Sequence, residues 1–127
     1  MLLVKTKLKS SSIAGIGLFA DEMIPKGTIV WKYNPVIDIL LTKEQIGAFP
    51  QVVQEQIHNY AYFDGVFGGY MLCGDDARFF NHSDDPNCDD TPPSEVTIAT
   101  RDIMPDEEIT CNYKKFYENI NEHPEIK

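Results

Sequence analysis

The chain is poor in cysteine and in basic residues, and it has no long apolar run. Its three cysteines are separated by 15 and 23 residues, which is neither a disulfide framework nor the spacing of a zinc knuckle. No stretch approaches the ~18 consecutive apolar residues that a membrane span needs, and the N-terminus lacks the apolar core of a signal peptide. We therefore expect reduced, buried cysteines, no bound metal, no membrane association and a cytoplasmic protein. A site that the cysteines form with His82 is the alternative.

Basic residues are outnumbered, since eleven Lys and Arg accompany twenty Asp and Glu, for a net charge of −9 and a pI near 4.6. This is the wrong sign for holding phosphate backbones, so we expect no direct nucleic-acid binding. Most of the excess lies between Asp75 and Glu95, where seven acids accompany one base, Arg78. This acidic window is either a solvated loop or a surface that attracts a cationic partner.

Short patterned segments predict a mainly β domain with short helices. The 127 residues, including 7 Phe, 6 Tyr and 1 Trp, suffice for one domain with a single core. Strands are predicted at residues 2–9, 28–33, 36–41, 95–100 and 108–113, with two more around Asp64-Gly65. Thr42 and Gln45 form a capping-box pattern that predicts a helix start, and residues 51–59 predict a second helix. Residues 74–93 are predicted to form one long loop, which at that length is usually functional.

Three segments carry residues suited to binding or catalysis. The first, Gly15-Ile16-Gly17, offers backbone that a ligand can approach closely, although no third glycine makes it a dinucleotide fingerprint. The second, residues 78–88, has the sequence Arg-Phe-Phe-Asn-His-Ser-Asp-Asp-Pro-Asn-Cys. The third, residues 106–113, has the sequence Asp-Glu-Glu-Ile-Thr-Cys-Asn-Tyr. Taken singly, each also fits an ordinary turn or loop.

Together and in this order, the three segments resemble the SET-domain protein lysine methyltransferases. That family shows a Gly-x-Gly near its start, an Arg-Phe-x-Asn-His-Ser-x-x-Pro-Asn-Cys signature, and a Gly-Glu-Glu-Leu/Ile-Thr-x-x-Tyr signature near its end. The resemblance covers roughly residues 2–113. It implies a mainly β SET fold of small curved sheets with a C-terminal pseudoknot, in which residues 1–113 form the domain. Residues 114–127 would be a short tail that closes the site.

The resemblance also implies a site for S-adenosylmethionine, with S-adenosylhomocysteine as the product. The catalytic residue would be Tyr113, which would contact the substrate lysine together with Tyr70 and Cys111. The residues expected to contact the cofactor are Gly15, Ile16, Gly17, Arg78, Phe79, Asn81, His82, Phe116 and Tyr117.

The chain departs from the family pattern in three places. Cys111 stands where relatives often have Tyr or Phe, which suggests a roomier pocket. Asp106 replaces the usual glycine of the third signature, at a turn that tolerates Asp. No cysteine follows Cys111, so we expect the chain to lack the post-SET zinc segment that closes the site in many relatives, and to lack the pre-SET zinc cluster. The aromatic tail, or a second copy in a homodimer, would close the site instead.

The expected function is therefore methylation of lysine side chains in a histone or another basic protein, with S-adenosylmethionine as donor. The expected location is the cytoplasm, or the nucleus if the source is eukaryotic or the protein is delivered to a host. An inactive SET-fold module that binds a basic peptide is the alternative. A hydrolase built from Ser83, His82 and Asp84 is a third interpretation.

Overall fold

The computed structural model describes residues 1–65, 67–90 and 96–112, which form small sheets and two α-helices. The strands are β1 Thr6–Ser10, β2 Ile16–Ala20, β3 Ile29–Lys32, β4 Ile39–Leu41, β5 Tyr62–Asp64, β6 Gly69–Leu72, β7 Asn81–His82, β8 Cys88–Asp90, β9 Val96–Ala99 and β10 Thr110–Cys111. The helices are α1 Lys43–Gly47 and α2 Gln51–Tyr60, and a 3₁₀ turn spans Asp76–Phe79. The predicted mainly β class is confirmed.

The strands assemble into four small groups. β1 pairs with β2 as an antiparallel hairpin, with Leu8 opposite Leu18. β9 lies between β3 and β8, and β6 lies between β4 and β5, all antiparallel. β10 pairs with β7 in parallel. Three of the six strand pairs (β3 with β9, β4 with β6 and β7 with β10) join segments distant in sequence, so these pairs depend on packing between segments rather than on a local turn.

Apolar side chains from all parts of the chain form three neighbouring core clusters. The main cluster contains Leu18, Ala20, Ile24, Val30, Cys88, Ala99, Ile103, Ile109 and Cys111. The second contains Trp31, Met71, Cys73 and Ala77. The third contains Ile46, Ile57, Phe63 and Tyr70. All three cysteines are buried free thiols, as predicted.

Residues 20–29 lie against residues 100–109 and close the main core. The backbone amide of Ile24 donates to the carbonyl of Ile103, and that of Ile103 donates to the carbonyl of Ile24, both at 2.8 Å. Both isoleucine side chains are fully buried. The backbone N–H of Ala20 donates to the carbonyl of Glu107 at 3.0 Å, and that of Asp106 donates to the carbonyl of Ala20 at 2.8 Å, so the start of the third segment lies beside the end of β2.

Both predicted helices are present. Thr42 caps α1 as the capping box predicts, since its Oγ1 accepts from the backbone N–H of Gln45 at 3.1 Å and its own N–H donates to Gln45 Oε1 at 2.8 Å. α2 begins after Pro50 and runs one residue beyond the predicted end. Of the helices that the structure describes, none is both long and apolar enough to cross a membrane.

The prediction of one continuous loop over residues 74–93 was wrong. The segment contains the 3₁₀ turn, β7 and β8. Asp75 starts the turn, because its Oδ1 accepts from the backbone N–H of Ala77 at 3.0 Å while its Oδ2 accepts from that of Leu2 at 2.8 Å. The polar residues that indicated a loop are thus partly engaged in holding backbone.

Asp106 provides a test of the turn at the start of the third segment. Its φ of 70° lies in the left-handed region, and its exposed carboxylate contacts Lys7 and lies 3.6 Å from Lys9. The hydrogen bond from Lys7 lowers the pKa of this carboxyl. Asp106→Ala and Asp106→Gly lose the same ion pairs, but only glycine adopts a positive φ without cost.

We expect Asp106→Gly to melt roughly 5 °C above Asp106→Ala in a thermal unfolding experiment, because left-handed backbone is costly for alanine. The two variants lack the same charge, so each is the control for the other. Equal melting temperatures would contradict a left-handed residue at this turn.

Candidate functional site

The second and third segments meet as the parallel pair of β7 and β10. Asn81 lies opposite Thr110, and His82 lies opposite Cys111. The pairing continues where the backbone N–H of Ser83 donates to the carbonyl of Cys111 at 3.0 Å. This is the adjacency that the predicted pseudoknot requires, and it brings both signatures together, with Thr110 and Cys111 buried.

The first segment lies where the loop after β1 enters β2, and we call this loop together with the first two residues of β2 the glycine loop (residues 11–17). The backbone N–H of Ser11 donates to the carbonyl of Gly15 at 2.8 Å. The Ser11 hydroxyl accepts from the backbone N–H of Ile13 at 2.9 Å. Gly15 has a φ of 44°, a conformation that favours glycine. Ile16 is half exposed, so the loop presents its backbone at the surface.

The side chain of Asn81 connects the glycine loop to the other two segments. Its Nδ2 donates to the carbonyls of Ala14 at 3.2 Å and Ile16 at 3.5 Å. The same group donates to Glu108 Oε2 at 2.8 Å. The structure therefore places Asn81 against the carbonyls on either side of Gly15 and against Glu108, while cofactor contacts by Gly15, Ile16, Gly17, Asn81 and His82 stay predictions.

Asn87 fastens the second segment to the third and was not predicted as a site residue. It is 2% exposed. Its Oδ1 accepts from the backbone N–H of Thr110 at 2.9 Å, and its Nδ2 donates to the carbonyl of Glu108 at 2.8 Å and to Glu107 Oε2 at 3.0 Å. Asn87 belongs to the second signature, which could have marked it as a site residue. The sequence does not indicate which groups its amide binds.

His82 and its neighbours form a polar edge beside β7. His82 Nε2 lies 3.0 Å from Asp84 Oδ1, and Asp84 is largely exposed. The Ser83 hydroxyl accepts from the backbone N–H of Asp85 at 3.1 Å. That contact is typical of a serine that stabilises a turn rather than of an activated nucleophile.

Arg78 and Phe79 support the approach to β7. The Nε and Nη2 atoms of Arg78 donate to the carbonyl of Cys73 at 3.2 and 3.1 Å. The Arg78 guanidinium lies 5.7 Å from the ring of Tyr60, which also meets Phe79 edge to face with ring centroids 5.7 Å apart. These contacts fix the 3₁₀ turn to α2, and cofactor contacts by Arg78 and Phe79 stay predictions.

The two described residues predicted to contact substrate line different cavities. Cys111 borders a cavity of about 20 Å³, whose lining is Trp31, Tyr62, Cys73, Ala77, Phe80, Thr97 and Cys111. Tyr70 borders a cavity of about 320 Å³ beside the helices, whose lining is Lys43, Ile46, Gly47, Gln54, His58 and Tyr70. A shared contact of Tyr70 and Cys111 with one lysine stays a prediction.

The Cys73 thiol, which lines the smaller cavity, is expected to be unreactive. Burial, with a smaller contribution from the charge of Asp38, raises the pKa of this thiol to about 12. Almost no thiolate is therefore present at neutral pH, and the thiolate is the reactive form. Among the residues that the structure describes, no group of three or more His, Cys, Asp and Glu side chains could hold a metal ion.

Three predicted site residues lie outside the described residues, namely Tyr113, Phe116 and Tyr117. The whole predicted tail, residues 114–127, lies outside them as well. The described chain leads to Cys111 and Asn112, directly before the predicted catalytic residue in sequence. The catalytic role of Tyr113 and closure of the site by the tail therefore stay predictions.

Only some side chains of the acidic window (residues 75–95) are exposed. Asp84 and Asp85 have side chains that are 78% and 95% exposed. Asp85 Oδ1 lies 3.7 Å from Arg101, whereas Asp75 caps the 3₁₀ turn from within the fold. Glu95 lies outside the described residues. Asp84 and Asp85 thus place exposed negative charge directly after β7, and Asp76 in the 3₁₀ turn before β7 is exposed as well.

Comparisons with known proteins agree with this geometry. A family model described as SET domain matches residues 15–114. The histone-lysine N-methyltransferase SETMAR of Bos taurus is 28% identical over 122 residues, covering 84% of this chain and 39% of that protein. The histone-lysine N-methyltransferase 2D of Homo sapiens is 29% identical over 126 residues, covering 88% of this chain and 2% of that protein. This chain therefore spans less than half the length of either relative.

Among solved structures, a chain of a humanized mutant of the Chaetomium thermophilum Polycomb Repressive Complex 2, bound to the inhibitor GSK126, aligns with a TM-score of 0.63. The two chains are 22% identical, and the alignment covers 94% of this chain and 16% of the other. At this level of identity the likeness establishes a shared fold. The small sheets and short helices predicted from the three segments are therefore confirmed.

Asn87→Ala tests whether the Asn87 amide fastens the two signature segments. We expect it to lower the free energy of unfolding by roughly 2–4 kcal/mol, because several buried hydrogen-bonding groups lose their partner. Denaturant unfolding measures the change. Asn59→Ala, an exposed position in α2, is the matched control and should change stability by about 0.5 kcal/mol or less. Equal effects would contradict the role of Asn87.

Proposed function

Because the chain belongs to the SET-domain family, we propose that it is a protein-lysine methyltransferase that uses S-adenosylmethionine. The observation that carries the proposal is the junction at Asn81, where one amide binds the glycine loop and the third segment at once. The names of the relatives support the reaction class. The alternative hydrolase built from Ser83, His82 and Asp84 is less well supported, because the Ser83 hydroxyl accepts a hydrogen bond from the backbone N–H of Asp85 and stabilises a turn.

The residues at the junction fit S-adenosylmethionine. A Cβ placed on Gly15 would meet no atom within 4 Å, so the space over that glycine is open to a ligand. Backbone groups around Gly15, Ile16 and Gly17 would bind the methionine end, and Asn81 and His82 would bind beside them. When bound, the sulfonium of the cofactor supplies an electrophilic methyl group. Arg78, Phe79, Phe116 and Tyr117 are proposed as further cofactor contacts.

Methyl transfer requires mainly that the protein align the substrate amine with the methyl group and that the amine be neutral. In-line methyl transfer depends on orientation more than on acid–base catalysis. A lysine with a reference pKa of about 10.4 arrives as an ammonium in water, and apolar surroundings disfavour that charged form. Trp31, Tyr62 and Phe80 line the cavity beside Cys111 and would provide such surroundings, but at about 20 Å³ the cavity holds about one water molecule and must widen to admit a lysine side chain. The Tyr113 hydroxyl would orient the amine for attack and stabilise the developing charge.

The proposed substrate is a basic protein such as a histone, methylated in the nucleus or the cytoplasm. The relatives named above are histone-lysine N-methyltransferases. The exposed Asp84 and Asp85 lie next to β7 and have the sign that attracts lysine-rich segments. Closure of the site by residues 114–127, or by a second copy in a homodimer, is part of the same proposal.

Tyr113→Phe tests the catalytic assignment. We expect radiolabelled methyl transfer to core histones to fall roughly 100-fold or more, because the orienting hydroxyl is lost. The Kd for S-adenosylmethionine, measured by calorimetry, should stay within about threefold, since the ring remains. Tyr60→Phe is the matched control, because its ring can still contact Arg78 and Phe79.

Two outcomes would contradict this assignment. Transfer that continues unchanged in Tyr113→Phe would remove Tyr113 from catalysis. A wild-type protein that binds basic peptides and the cofactor, yet transfers no methyl group to any of a panel of basic proteins, would favour an inactive binding module.

The paired substitution Asp84→Asn and Asp85→Asn tests the substrate surface. We expect the KM for a lysine-rich peptide to rise roughly tenfold at low ionic strength with kcat unchanged, and the effect to shrink at high salt. Glu44→Gln with Glu55→Gln removes the same charge from the two helices and should change KM little. If both pairs raise KM equally, net charge rather than this surface attracts the substrate.

A further inference from the structure

Behind the glycine loop, Glu108 uses both of its carboxylate oxygens. Oε1 accepts from the Ser11 hydroxyl at 2.7 Å. Oε2 accepts from Asn81 Nδ2 at 2.8 Å. Ser11 begins the loop, and Asn81 binds the carbonyls of Ala14 and Ile16 within it. One carboxylate is therefore linked to both ends of the loop.

The carboxylate also occupies the space beside Gly17. A Cβ placed on Gly17 would collide with Glu108 Oε2 and would lie 2.9 Å from its Cδ and 3.0 Å from Ser11 Cβ. The atoms in conflict belong to the end of a side chain, which can move aside. Moving it would cost the hydrogen bonds to Ser11 and Asn81.

The backbone around Glu108 is fixed independently of its carboxylate. Glu108 forms an isolated antiparallel bridge with Phe19, and the backbone N–H of Ile109 donates to the carbonyl of Leu18 at 2.8 Å. The side chain consequently starts from a fixed point and reaches over Gly17 toward Asn81. The requirement for glycine at position 17 thus has a cause within the protein itself.

We propose that Glu108 is the positioning residue for the cofactor site, and that position 17 is glycine to make room for the Glu108 carboxylate. The statement about cofactor binding rests on the proposed function. The coupling between Gly17 and Glu108 does not, because it concerns contacts within the chain. Glu108 acts through Ser11 and Asn81, which hold the shape of the glycine loop.

A double-mutant cycle between Gly17→Ala and Glu108→Ala tests the coupling. Each single variant should weaken S-adenosylmethionine binding roughly tenfold and lower the urea midpoint, because each removes the carboxylate from Ser11 and Asn81. In the double variant the added methyl group no longer meets a carboxylate, so only its tight contact with Ser11 Cβ at 3.0 Å remains. Binding by the double variant should therefore fall much less below Glu108→Ala than Gly17→Ala falls below the wild type.

Two further variants separate positioning from a general loss of structure. Glu108→Gln retains the shape, can accept from Asn81 and can donate to the Ser11 hydroxyl, so it should restore binding to within about threefold of wild type. Glu107→Ala removes the neighbouring carboxylate, which binds Asn87, and should combine additively with Gly17→Ala. Glu108→Ala should raise the KM for the cofactor while leaving the KM for the protein substrate unchanged.

The unfolding and binding measurements distinguish failure of this inference from failure of the proposed function. Additive effects of Gly17→Ala and Glu108→Ala on both measurements would overturn the inference, even if the wild type binds the cofactor and transfers methyl groups. A wild type that binds no cofactor would overturn the proposed function. In that case non-additive urea midpoints would still support the coupling.

Discussion

The parallel pairing of β7 with β10 is the constraint on which the candidate site depends. It is only two residues long on each strand, too short to be stable through its backbone hydrogen bonds alone. Side-chain contacts therefore maintain it: Asn87 binds the backbone of Thr110 and Glu108 from one side. Asn81 reaches Glu108 and the glycine loop from the other.

Hydrogen bonds from amide side chains to backbone thus take the place of an extended sheet at the site. Buried amides of this kind are costly to leave unpaired and are strongly directional. The same contacts that stabilise the pair consequently fix its register. A one-residue shift between β7 and β10 would leave the buried Asn87 without its partners. The site can therefore be small and still have a defined geometry.

Local features of the sequence could be predicted well. The capping box at Thr42 and Gln45 needs only residues three apart, and α1 begins as it predicts. The buried cysteines follow from composition and spacing. The three candidate segments were found because their residue types and order carry a family signature. That signature also led to the correct fold, although no element of it is a long regular strand.

Features that join distant segments could not be predicted in the same way. Residues 74–93 look like a loop because β7 pairs with a strand that comes much later, and nothing near Asn81 indicates that partner. Gly17 was interpreted as a ligand contact, whereas the structure also shows the Glu108 carboxylate beside it. Tyr70 and Cys111 were grouped as substrate contacts, yet they border different cavities. Sequence patterns show which residue types are present. Which distant residues contact each other depends on how the core packs.

The pairing of early strands with late ones has a consequence for how the chain acquires its structure. β3 pairs with β9, and β2 is joined to residues just before β10. Loop-closure entropy must be overcome before such distant pairs contribute, so folding of this topology is expected to be slow for its size. During synthesis, β1 can pair with β2 early, whereas β3 cannot pair with β9 until residues 96–99 have emerged. The junction at Asn81 needs Glu108 as well as the glycine loop, so it cannot be complete before the third segment has been made.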